Sequence, residues 1–109
     1  MAGKVTHWAE AEAVEMMPGV TRRTLAQTDD MMLLEIRLAA NLDFPVHSHP
    51  HRQVGYVVSG EVVMTIDGQA TVCKPGDGYT IPGGVEHGAA TNADTVVIDC
   101  FTPPREDYQ

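Results

Sequence analysis

Three histidines and one glutamine carry most of the chemistry open to this chain. His47 and His49 stand two residues apart, Gln53 follows, and His87 lies far downstream. Neutral imidazole is the commonest protein ligand for first-row transition metals, and an amide oxygen is a further uncharged donor. Four such donors around one divalent ion leave room for a substrate. The glutamine matters here. A carboxylate would cancel one unit of the ion's charge, whereas the amide leaves the full +2. That favours polar, metal-assisted chemistry on an anionic oxygen over the carboxylate-bearing triad of non-haem iron oxygenases.

The backbone must bring these residues together. On an extended strand His47 and His49 point to one face. Gln53 has the same parity, but four extended residues span roughly 13 Å, too far for His49 and Gln53 to share an ion. A turn must intervene, and Pro50, which cannot donate to a sheet ladder, marks it. His49 then ends one strand, Gln53 opens a neighbour, and His87 returns through a folded or closed sheet. His51 continues the alternation. The break at Pro50 points it to the pocket rim or a supporting position rather than to a fourth imidazole ligand.

From about Val20 onward the chain reads as short strands separated by turn residues. Strands are expected over residues 21–27, 31–38, 46–49, 53–58, 61–66, 70–73, 79–81, 87–91 and 95–101. Asp67-Gly68 is a strong hairpin signal, and Ser59-Gly60 and Pro75-Gly76-Asp77 punctuate the rest. Residues 8–17, rich in alanine and glutamate and stopped by Pro18-Gly19, are helix-like, with an extended arm as the alternative. The expected organisation is an arm or short helix over 1–20 and an antiparallel barrel over 21–109, since closure removes exposed strand edges.

Composition fits one small domain. The chain has 109 residues, 43% of them hydrophobic, and no apolar run long enough to span a membrane. A net charge of −8 without any basic stripe argues against nucleic acid. A small anionic ligand stays compatible, because a metal cation and local arginines can make a positive pocket in an acidic protein. Cys73 and Cys100 give no disulfide framework and read as packing residues. Residues 1–10 lack the charged-then-apolar pattern of a signal peptide, so a cytoplasmic location is expected.

The spacing H-x-H-x3-(E/Q)-x6-G, then G-x5-P-x-G-x2-H, falls on His47, His49, Gln53, Gly60, Gly76, Pro82, Gly84 and His87. It resembles the two-motif pattern of the cupin superfamily. Two positions depart from that pattern: Gln53 replaces the usual glutamate, and Thr91 stands where asparagine often closes the second motif. The resemblance implies an all-β fold, a small single-domain jelly-roll barrel with one divalent metal in its mouth, and a homodimer.

The C-terminal residues narrow the expectation. Asp99 and Phe101 share a face of the last strand, and Asp99 is an acid in the apolar run Val96-Val97-Ile98. A buried carboxylate has a raised pKa and can move protons. Arg105 follows Pro103-Pro104, and its planar fork suits a carboxylate. On these residues alone, an edge-facing Asp99 and a solvated Arg105 are equally open. His-Ser-His-Pro-His with Gln53, plus Asp-x-Phe-x-Pro-x-Arg-Glu-Asp, is similar to the KdgF-type uronate-linearising cupins of pectin and alginate breakdown. That resemblance implies His47, His49, Gln53 and His87 as ligands of Ni, Zn, Co, Mn or Fe. It implies Asp99 and Arg105 as catalytic residues, with Phe101 and Arg105 against the substrate; His51, expected at the pocket rim, should bind substrate beside them. The implied activity is an isomerase converting a 4,5-unsaturated monouronate, a small anionic sugar, to its linear keto form. A cupin-type Fe(II) dioxygenase and a non-catalytic sugar- or metal-binding barrel are the alternatives.

Overall fold

Alternating burial explains why the strands assemble into two facing sheets. In Thr95–Thr102 every second residue, from Thr95 through Val97 and Asp99 to Phe101, is buried, and the residues between them are half-exposed. A strand with this period must lay one face on another layer. The structure, a computed structural model, describes residues 3–109. Its strands are β1 (Val14–Met17), β2 (Val20–Gln27), β3 (Met32–Leu38), β4 (Asp43–His47), β5 (Arg52–Ser59), β6 (Val62–Ile66), β7 (Gln69–Cys73), β8 (Gly78–Ile81), β9 (His87–Thr91) and β10 (Thr95–Thr102).

Six strands form one sheet in the order β1-β2-β3-β10-β5-β8, and four form the other in the order β4-β9-β6-β7. The pairings are antiparallel. The all-β barrel expected from the strand pattern is therefore present. Val20, Leu38, Val57, Val62, Ile81 and Val97 fill the space between the sheets. A smaller cluster of Met32, Leu34 and Phe101 sits at the end where the histidines gather. Gly60, at the β5–β6 turn, has φ +84, and a Cβ there would lie 2.3 Å from the Asp94 carbonyl oxygen. Only glycine satisfies both demands.

Two local expectations change. Residues 8–17 do not form a helix. Trp8–Glu10 is a single 3₁₀ turn, and β1 pairs with β2 through a turn at Pro18-Gly19, with Gly19 at φ +87. A ten-residue helix must bear the nucleation cost alone, whereas β1 places Met16 and Met17 against the core. The sheet thus begins at Val14, ahead of the boundary expected near residue 20. Trp8 is pinned outside that sheet: its indole N–H donates to Glu35 at 2.8 Å, and the Arg23 guanidinium lies 3.8 Å from its ring centre. The strand expected over 46–49 runs instead from Asp43 to His47 and includes Pro45. β4 pairs only with β9, and such an edge position tolerates a proline. His49 consequently lies beyond the strand end, in the loop that carries Pro50.

Candidate metal centre

The three imidazoles reach one point from three backbone settings. His47 ends β4 directly opposite His87, the first residue of β9, and their rings are 4.4 Å apart. His49 is held in its loop by a 2.8 Å hydrogen bond from the Gly84 N–H to its carbonyl. Its ring lies 4.9 Å from that of His87 and 5.7 Å from that of His47. One potential ligand atom from each histidine falls within 4.8 Å of the other two. Gln53, the second residue of β5, brings its amide oxygen to 3.2 Å from His49 Nε2.

Hydrogen bonds fix which nitrogens are free. The Nδ1 atoms of His47, His49 and His87 lie 3.1, 3.0 and 2.9 Å from the carbonyl oxygens of Pro45, His51 and Val85. A carbonyl only accepts, so each Nδ1 carries the proton and each Nε2 keeps a lone pair. His49 Nε2 and Gln53 Oε1 are then two acceptors with no proton between them, a contact that a cation relieves. Burial, the Arg105 charge and the neighbouring imidazoles hold His49 below its ordinary pKa. Burial, with His47 and Arg105, lowers His87 despite its backbone hydrogen bond. Both stay neutral at neutral pH, as ligands must. The donor set therefore fits a divalent transition metal.

Beside this cluster lies a small cavity of about 70 Å³. Its lining includes His47, Gln53, His87, Tyr79, Asp99, Phe101, Arg105 and Tyr108. Asp99 is buried on this wall, and burial pushes its carboxyl up to about 6 against the hydrogen bonds of Tyr79 and Gln53. Because the Gln53 amide N–H faces Asp99, its oxygen is left for the imidazole side. The Tyr79 hydroxyl donates to Asp99 Oδ1 at 2.5 Å, and burial followed by the Asp99 charge raises the Tyr79 pKa.

Residues 34–101 match the family described as the cupin domain. The chain belongs to the cupin family. Pectin degradation protein KdgF of Dickeya dadantii (strain 3937) is 30% identical to this cupin over 96 residues, covering 86% of this chain and 87% of that protein. The structure of KdgF from Halomonas sp. superposes with a TM-score of 0.93 at 32% identity, covering 99% of this chain and 100% of that one. An RmlC-like cupin from Shewanella frigidimarina NCIMB 400 gives a TM-score of 0.94 at 31% identity, with 99% and 97% covered.

Not every residue singled out in the sequence stands where its chemistry first suggests. Arg105 lines the cavity, but its Nε and Nη2 already donate to Asp107 at 3.1 and 2.9 Å. Its remaining N–H groups are those open to an anion. His51 is buried and does not line the cavity among the described residues. Its ring pairs with Glu106 at 2.9 Å, while its carbonyl accepts from His49 Nδ1. It supports a ligand through its backbone and ties down the C-terminal turn. Cys73 sits in the core, its thiol pushed up by burial and Asp77, as suits a packing residue. Tyr79 and Tyr108 were not anticipated. A glycine inside an otherwise apolar strand, Gly55, is the one sequence sign that a side chain from a neighbouring strand crosses there.

Proposed function

We propose that this cupin is a metal-dependent enzyme that opens 4,5-unsaturated monouronates to their linear keto acids. The observation carrying this reading is Asp99, a carboxylate 4% exposed on the wall of the cavity that also holds the imidazole cluster. The pectin-degradation name of the Dickeya relative supports the substrate class. His47, His49, Gln53 and His87 would hold the metal, with Ni, Zn, Co, Mn and Fe all suited to such donors. When bound, the metal supplies positive charge that stabilises negative charge developing on a substrate oxygen.

The remaining work falls to the chain's own side chains. Ring opening removes the proton from the C1 hydroxyl and breaks the bond from C1 to the ring oxygen, leaving a C1 aldehyde and an enol at C5. Ketonisation then places a proton on C4 while the C5 enol oxygen gives up its own, so the net change is a proton moved from oxygen to carbon. Asp99, with a pKa of about 6, has both protonation states within reach at neutral pH and suits this transfer. The Arg105 N–H groups not committed to Asp107 would take the substrate carboxylate, and Phe101 would pack against the sugar. A homodimer and a cytoplasmic location belong to the same reading, and light scattering checks the first.

The test follows the ultraviolet absorbance of the unsaturated uronate. Metal-replete protein should speed its loss well above the spontaneous rate. Asp99→Asn should abolish that acceleration while metal content stays at the wild-type level. Unchanged turnover in this variant would remove Asp99 from the mechanism.

A further inference from the structure

The Asp99 carboxylate is contacted from two strands away. Asp99 on β10 is paired with Gly55 on β5, and Gly55 is paired with Tyr79 on β8, so the three residues form one row across the sheet. Adjacent strands are about 4.8 Å apart, which puts the outer two backbones roughly 9.6 Å from each other. A side chain can bridge that distance only by lying over whatever stands on β5. A Cβ at position 55 would come 2.1 Å from Tyr79 Cζ and 2.4 Å from its hydroxyl oxygen. Glycine is thus what lets the ring lie flat across the row.

Covering a sheet glycine with an aromatic ring is a packing device in its own right, and phenylalanine would serve it. The hydroxyl is what packing does not explain. It ends 2.5 Å from Asp99 Oδ1, both groups are buried, and both line the cavity. The Gln53 amide bears on the same carboxylate from the metal side.

We propose that Tyr79 is a positioning residue, which holds the Asp99 carboxylate in the one orientation that reaches substrate, and that Gly55 is the slot through which it does so. This rests on the ring-opening reading above. The substrate never needs to touch Tyr79. A proton carrier displaced by about 1 Å loses on the order of 100-fold in rate, while ground-state binding through Arg105 and Phe101 is left intact.

Tyr79→Phe keeps the ring over Gly55 and deletes only the donor. In metal-replete protein its kcat should fall about 10- to 100-fold, with KM within about twofold and metal content unchanged. Gly55→Ala, which pushes the ring off its slot, should produce a similar fall. Added to the Tyr79→Phe background, it should cause little further loss, because both changes break one contact. A Tyr79→Phe variant that melts earlier but keeps wild-type kcat would reduce Tyr79 to packing and overturn the inference. So would a change confined to KM, or a double variant whose loss is the product of the two. Should Tyr79→Phe be recovered unfolded, Gly55→Ala alone decides: retained kcat overturns the inference, and lost kcat at unchanged KM supports it. A wild-type protein without any acceleration sinks the ring-opening reading and this inference together. An active wild type beside an unimpaired Tyr79→Phe sinks this inference alone.

Discussion

Asp99 places a titratable group on the cavity wall at the expense of stability. Its carboxyl is raised from 3.8 to about 6, chiefly by burial, with Tyr79 and Gln53 pulling the other way. A raised folded-state pKa means the protonated form is the one the fold prefers. The stabilising contribution is present below pH 3.8 and lost as pH rises through 6. Ionised Asp99 therefore weakens the metal-free fold at neutral pH, by a few kcal/mol at most on the order of 1.4 kcal/mol per unit. Asp99→Asn should raise the thermal midpoint of chelator-treated protein at pH 7.5, and the gain should vanish near pH 4. Calorimetry at the two pH values checks this. An equal gain at both would show that burial of charge is not what the variant relieves. Gln53 illustrates a different economy, for one amide faces the imidazoles with its oxygen and Asp99 with its nitrogen, a division glutamate could not make.

At the scale of elements, the N-terminal segment is held by one buried acid. Burial pushes Glu35 upward, but hydrogen bonds from Arg37 and Trp8 and the charges of Arg37 and Arg23 outweigh it and keep it below 4.5. A depressed carboxylate stabilises the fold above its unfolded value and loses that contribution as pH falls through its folded one. Trp8 is the chain's single tryptophan, so its fluorescence reports on this contact alone. Titration of the wild type below pH 4.5 should shift the emission to the red as Glu35 protonates and the segment releases. Glu35→Gln should show no such acid step. A red shift of equal size in that variant would place the transition elsewhere. β10 makes the complementary point, since one strand between β3 and β5 delivers Val97 to the core and Asp99 and Phe101 to the cavity, using nothing but period-two alternation.

Over the whole molecule, the candidate metal centre ties the two sheets together. His47 and His87 belong to β4 and β9 of the four-stranded sheet, and Gln53 belongs to β5 of the six-stranded one. A ligand that binds only the folded state stabilises it by about 2.7 kcal/mol at a hundredfold excess over Kd. Added Ni²⁺ or Zn²⁺ should therefore raise the melting temperature by about 11–22 °C, given about 4–8 °C per kcal/mol in small domains. His87→Ala should remove most of that rise without unfolding the chelated protein. Scanning calorimetry with and without chelator measures both. A metal-induced rise that survives His87→Ala would place the ion outside this cluster.

Much of this was legible in the residues themselves. The spacing of His47, His49, Gln53 and His87, and the turn required before Gln53, follow from backbone dimensions. The alternation of Thr95 to Phe101 placed Asp99 and Phe101 on one face before any fold was known, because period two is a local property of a strand. Other features depend on which strands become neighbours. The row of Asp99, Gly55 and Tyr79 joins residues far apart in the chain, and no local pattern says that β5 lies between β10 and β8. The same holds for the Nδ1–carbonyl contacts that turn three Nε2 atoms inward, and for Asp107 on the Arg105 fork. The alanine- and glutamate-rich residues before Pro18 carry a weak helical signal of their own, and pairing with β2 overrode it. Local sequence sets periodicity and turn chemistry, but only the packed sheets decide which side chains meet, since that choice is made by burial over the whole molecule.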